Sequence, residues 1–158
     1  MFGFFKAKKY LLVSPADGDI IALEDVPDEV FSAKLAGDGL ALIPRSNTFV
    51  APISGVVSKI FSTNHAFSIR TSSGLEVMVH IGLDTVELKG EGFKRLVEEG
   101  TKVSVGKPII LADLEFIESK GKSIITPIVL NHEKNLTLSS DTVRTIREGE
   151  NLIEISCK

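Results

Sequence analysis

Apolar residues in this chain recur at a spacing of two in short runs, and the runs are cut by glycine, proline and small polar residues. That pattern predicts strands joined by tight turns. Residues 10–13, 19–23, 40–44, 48–51, 123–130, 143–146 and 151–155 each read as a strand, and 102–112 reads as strand, turn, strand. The most informative runs are 61–70 and 76–84, joined by Thr71, Ser72, Ser73, Gly74 and Leu75. Glycine reaches positive φ without a Cβ penalty, so this linker predicts a hairpin turn centred on Ser73. Such a turn sets the partner of His80 near Ala66 to Ser68 and leaves His65 within about three residues of facing it. A one-residue slip changes which side chains share a face, so the register stays open at this stage.

Helical spacing is confined to short pieces. Asp28 is a candidate cap for a segment of about two turns over 29–35. Phe93, Leu96 and Val97 fit a further one or two turns, and 114–119 is ambiguous, with a short helix as one reading. An approximate echo links Pro15, Gly18 and Ile20 to Pro52, Gly55 and Val57, in each case a proline, a turn glycine and an aliphatic restart. No linker rich in proline, glycine or serine divides the chain. The expectation is one nearly all-β domain over 10–158, a sandwich or partly closed barrel with short peripheral helices. Residues 1–9 are set apart as a short N-terminal segment. Its phenylalanines and lysines fit an anionic membrane surface, and they fit a start peptide that frays or packs on its own domain better.

Composition narrows the function classes. The chain has 158 residues, 43% hydrophobic and 25% charged, enough for one domain with a real core. Its 18 basic and 21 acidic residues are interspersed, so neither nucleic acid nor a disordered acidic tail is indicated. The one cysteine, Cys157, cannot form an intrachain disulfide and reads as incidental in a reducing compartment. No apolar run approaches the roughly 20 residues that span a bilayer, and the expected location is cytoplasmic.

Only three histidines are present. In the run 76–83, Val77, Val79, Ile81 and Leu83 alternate with Glu76, Met78, His80 and Gly82, so His80 shares a face with Met78. A neutral imidazole in such a setting is a competent nucleophile near pH 7, its second nitrogen held by a hydrogen bond. The Thr63 hydroxyl can orient His65, and Asp84 can reach the area from the following loop. His132 lies in a polar stretch and reads as solvated. Two histidines and an aspartate underprovide a zinc site. No nucleophile-elbow serine and no phosphate-cradling P-loop occurs. What remains is histidine chemistry on an open β surface, suited to a group carried between macromolecules.

The segments 24–28, 37–39, 51–55, 63–66, 79–88, 90–93 and 99–108 together resemble the glucose-family IIA component of the bacterial phosphoenolpyruvate:sugar phosphotransferase system. The likeness covers roughly residues 14 to 155. It implies an antiparallel β-sandwich of jelly-roll-like or barrel-like character and a phosphocarrier that needs no cofactor. His80 matches the phosphorylated histidine, which accepts phosphate through Nε2 from the carrier HPr and yields it to a cysteine of a IIB domain. His65 matches the second active-site histidine, important for onward transfer, Thr63 the residue that orients it, and Asp84 an acidic residue of the rim. Val30, Phe31, Leu35, Phe61, Met78 and Val86 match an exposed apolar docking ring. The resemblance also implies a chain that is monomeric when free, regulatory partners, and a zinc ion shared with such a partner through His65 and His80. The competing readings are a regulatory descendant without transfer, a zinc hydrolase on His65, His80 and Asp84, and a biotinyl or lipoyl carrier. The last lacks a lysine in the required turn, since Lys59, Lys102 and Lys107 have the wrong neighbours.

Overall fold

A computed structural model describes residues 8–139 and 143–158. Residues 1–7 of the N-terminal segment lie outside the described residues, while Lys8 and Lys9 already belong to the first strand. In chain order the elements are β1 (Lys8–Val13), β2 (Gly18–Ala22), α1 (Glu29–Ser32), β3 (Asp38–Pro44), β4 (Thr48–Val50), β5 (Gly55–Ile60), β6 (Ala66–Arg70) and β7 (Glu76–His80). There follow β8 (Phe93–Arg95), β9 (Lys102–Val103), β10 (Pro108–Ala112), α2 (Leu114–Ser119), β11 (Thr126–Asn131), β12 (Leu136–Leu138), β13 (Thr145–Ile146) and β14 (Asn151–Cys157). Two 3-10 turns, Leu23–Asp25 and Thr85–Leu88, complete the set. Among the described residues no helix is long and apolar enough to cross a membrane.

The strands form three antiparallel sheets. The largest has the order β13-β2-β3-β11-β7-β6-β5-β9, and two three-stranded sheets, β1-β14-β12 and β4-β10-β8, lie over it. Strand alternation divides its side chains between two layers. Leu40, Leu42, Ile128, Leu130, Val77 and Val79 enter the main core, where they meet Tyr10, Leu12, Phe49, Ile110 and Ile155 from the small sheets. Ala41, Val129 and Met78 point the other way, into a second cluster closed by Leu23, Val26 and Phe31. The sheet is therefore covered on one face by strands and on the other, locally, by α1 and its preceding turn. That second face is the one His80 shares.

The two proline corners meet. Val13 N–H donates to the Pro52 carbonyl and Val50 N–H to the Pro15 carbonyl, each at 2.9 Å, so the echo in sequence is a reciprocal pair of backbone bonds. Asp28 caps α1 as expected, its carboxylate accepting from Val30 N–H at 3.0 Å.

Two expectations need correction. Residues 93–95 form β8, paired with β10 through Arg95↔Ile110 and Ala112↔Phe93, in place of a helical turn. Three apolar positions at helical spacing are too few to outweigh the ladder bonds offered by β10. His132 is half-buried and bonded rather than solvated. It bonds to the Ser73 carbonyl through Nε2 at 3.0 Å and accepts Lys134 N–H on Nδ1 at 2.9 Å. The Cys157 sulfur lies 3.5 Å from Nδ1. Its bond to the β6–β7 turn and its contact with the last strand half-bury it.

Candidate active site

The open register of the central hairpin resolves as Ala66↔His80 and Arg70↔Glu76. Thr71 N–H to the Leu75 carbonyl at 2.8 Å closes the turn, with Gly74 at φ +97°. The ladder extends one bond past the strand, Ile81 N–H to the His65 carbonyl at 2.7 Å. That bond brings the two imidazoles edge to face, with ring centroids 4.9 Å apart and an interplanar angle of 80°.

Each ring is anchored through Nδ1. His80 Nδ1 lies 2.7 Å from the Gly82 carbonyl oxygen. A carbonyl can only accept, so Nδ1 carries the proton and Nε2 keeps its lone pair. Gly82 turns its carbonyl back onto the ring by adopting φ +81°. A Cβ there would sit 2.4 Å from the Thr85 methyl and 2.7 Å from the Ser123 carbonyl oxygen. Only glycine fits this corner. The buried Thr85 hydroxyl fastens the same loop by donating to the Ile81 carbonyl at 2.6 Å. His65 Nδ1 is held by the Thr63 hydroxyl at 2.6 Å. With Nδ1 of both rings occupied, Nε2 is the reactive edge of each.

The surroundings are apolar. Phe31 packs on His80 at 5.0 Å between ring centroids, and Phe61 on His65 at 5.2 Å. Burial, with the neighbouring His80 as a lesser cause, pushes His65 down to about 4. Burial also holds His80 below the ordinary histidine range, opposed by the Gly82 carbonyl and by the carboxylates of Asp28 and then Asp84. Asp28, read from sequence as a helix cap, is thus also a charge facing His80. Asp84 stands exposed at φ +56°, heading the Thr85–Leu88 turn.

The His65 shift sets a pH window. Its folded pKa lies below its unfolded value of 6.5, so its stabilising contribution is complete above pH 6.5 and is lost as pH falls toward about 4. Urea midpoints of the wild type should fall between pH 7 and 4 more steeply than those of His65→Gln. Equal slopes would contradict the assignment.

The apolar ring is only partly an exposed surface. Val30, Leu35 and Val86 are 50%, 72% and 52% exposed, while Phe61 and Met78 are half-buried. Phe31 is 5% exposed, contrary to the expectation of an open docking residue. It is consumed as a wall for His80 and as part of the second core cluster. Among the described residues no group of three or more metal-ligating side chains converges, so Asp84 does not complete a three-ligand set with the two histidines.

Sequence reasoning missed Arg95. It bonds through Nε to Asn64 Oδ1 at 2.8 Å, on the turn that precedes His65. Its placement in a helical stretch hid that role.

Known proteins share this arrangement of chain and fold. Residues 10–136 match the family described as phosphoenolpyruvate-dependent sugar phosphotransferase system, EIIA 1. The glucose-specific EIIA component of Buchnera aphidicola subsp. Acyrthosiphon pisum is 47% identical over 150 residues, 95% of this chain and 93% of that protein. The corresponding component of Haemophilus influenzae is 48% identical over 136 residues, covering 86% and 82% of the two chains. The N-acetylglucosamine-specific EIICBA component of Klebsiella pneumoniae is 54% identical over 121 residues, 77% of this chain but 19% of that protein. This chain therefore matches about a fifth of that longer relative. Among solved structures, glucose permease IIA from Mycoplasma capricolum superposes with a TM-score of 0.89 at 39% identity, covering 97% of this chain and 99% of that one.

Proposed function

Because this chain belongs to the EIIA 1 family of the phosphoenolpyruvate-dependent sugar phosphotransferase system, we propose that His80 Nε2 is the atom that carries its phosphoryl group. The chain is a phosphotransferase component, a phosphohistidine carrier that passes phosphate to a IIB domain. The observation that carries the assignment to His80 is the 2.7 Å contact between Nδ1 and the Gly82 carbonyl, which leaves the lone pair on Nε2.

The donor is a phosphohistidine of HPr. The His80 Nε2 lone pair attacks phosphorus, the donor's N–P bond breaks, and its electron pair returns to the donor ring. In the second step a thiolate of the IIB cysteine attacks the same phosphorus, an S–P bond forms, and the Nε2–P pair returns to His80. No cofactor enters either balance. The work is positioning and electrostatics. With the Thr63 hydroxyl donating to Nδ1, His65 presents Nε2–H toward the phosphoryl oxygens. A neutral donor in apolar surroundings stabilises developing charge more than it would in water. Asp28 and Asp84 favour a basic partner surface at the rim, and Val30, Leu35 and Val86 supply apolar contact area.

The chain acts as a monomer in the cytoplasm beside a membrane transporter, with glucose as the sugar, the specificity that two of its near full-length relatives are named for. A zinc ion shared with a regulatory partner would take both Nε2 atoms, with the His65 proton moved to Nδ1 and donated to the Thr63 hydroxyl, and so compete with phosphorylation.

The test uses phosphoenolpyruvate, Enzyme I, HPr and this chain. One phosphoryl group per chain is expected, labile in acid and stable in base, with ring nitrogen resonances identifying Nε2 of His80. The added charge should also raise the His65 pKa from about 4. Phosphate on His65, or on Nδ1 of His80, would overturn the assignment.

A further inference from the structure

We infer that Arg95 is a positioning residue for phosphoryl delivery, acting through Asn64 on His65. The inference rests on the roles proposed above for His80 and His65. His65 leaves a turn whose last residue, Asn64, sits in the left-handed region at φ +59°. Asparagine tolerates that region better than most side chains do, but it needs support to persist there. The turn is closed by Asn64 N–H to the Phe61 carbonyl at 2.7 Å and by Phe61 N–H to the Ala66 carbonyl at 3.0 Å.

Arg95 grips both ends of this turn with one guanidinium. Nε donates to Asn64 Oδ1 at 2.8 Å, and Nη2 reaches the Phe61 carbonyl at 3.5 Å. Nη1 faces Glu98 at 3.4 Å, which keeps the fork in register. The anchor behind it is rigid, since β8 is laddered to β10 at Arg95↔Ile110. Phe93, two positions earlier and so on the same strand face, lies 6.5 Å from the His65 ring centroid to centroid. One strand thus supplies both a wall for the His65 ring and a tether for its turn. The guanidinium stays charged across the physiological range, so the tether does not titrate.

His80 has its own anchor in Gly82 and needs none of this to accept phosphate. His65 has the Thr63 hydroxyl for tautomer and the Arg95–Asn64 bond for position. Loss of the tether should therefore slow delivery and spare acceptance.

The experiment compares Arg95→Ala, Arg95→Lys and Asn64→Gly in the full chain, measuring acceptance from phospho-HPr and delivery to a IIB domain separately. Arg95→Ala should accept within about 3-fold of wild type and deliver about 10-fold more slowly. Arg95→Lys, a point charge without the planar fork, should fall between. Asn64→Gly keeps the left-handed backbone without the Oδ1 acceptor and should match Arg95→Ala. In a His65→Ala background, Arg95→Ala should add no further loss. The His65 ring nitrogen resonances should move in Arg95→Ala, a change that general destabilisation would not produce.

Wild-type delivery from Arg95→Ala, equal loss of acceptance and delivery, or a full further loss in the His65→Ala background would each overturn the inference. If Arg95→Ala does not fold, Asn64→Gly decides by the same criteria. Failure of the underlying site reading would look different: His80→Ala would still accept phosphate, whatever Arg95 does.

Discussion

His80→Ala should accept no phosphate from phospho-HPr, with a rate at least about 10³-fold below wild type, because the nucleophilic lone pair is gone. The fold should survive. His80 is half-buried at the end of β7, its ring sits against Phe31, and β7 keeps its ladder bonds to β6 and β11 without the side chain. The melting transition should therefore stay cooperative and close to that of the wild type. His80→Asn is the sharper control, since it is small and polar but has no ring nitrogen at the Nε2 position. A labelled His80→Asn would place the phosphoryl group elsewhere.

The second large effect separates the two half-reactions. His65→Ala should accept phosphate within about 10-fold of wild type and deliver it to a IIB domain about 10²- to 10³-fold more slowly, the usual cost of losing one preorganised donor to a developing charge. The asymmetry has a structural source. His80 is poised by the Gly82 carbonyl whether or not His65 is present, whereas the phosphorylated state adds up to two negative charges to a site that is apolar on most sides. His65→Ala also empties a buried position, 2% exposed, and leaves the Thr63 hydroxyl without its partner. His65→Gln preserves part of the volume and places an amide donor near the lost Nε2–H, so it should recover part of the delivery rate. Equal losses in the two half-reactions would contradict a donor role specific to delivery.

These two effects share one premise about protonation. Both imidazoles are neutral at neutral pH, His65 because of burial and His80 by burial set against the Gly82 carbonyl and two carboxylates. A neutral His80 can attack phosphorus; a protonated one cannot. Neutrality of His65 makes it a hydrogen-bond donor by tautomer at rest, and the charge of the phosphoryl group then shifts its titration upward.

Much of this was legible in the chain before any fold was known. Alternation along 76–83 is a local property of extended backbone, so it places Met78 and His80 on one face whatever surrounds them. The turn at 71–75 is likewise local chemistry, and it alone limits how far apart His65 and His80 can be. Residue types narrowed the class of reaction: without a catalytic serine context or a P-loop, histidine chemistry remained. The zinc alternative on His65, His80 and Asp84 closed only with the structure, where no three ligating side chains converge among the described residues. What the tertiary structure decided was non-local. The register Ala66↔His80 depends on which face of β6 and β7 the main core buries. Phe31 became a buried wall instead of an exposed side chain because the second cluster, built from β3, β7 and β11, closes over it. The stretch at 93–95 became a strand because β10 offered it unpaired backbone groups, and only then could Arg95 reach Asn64. Sequence periodicity records which way a side chain points, while register and long-range hydrogen bonds depend on partners far along the chain.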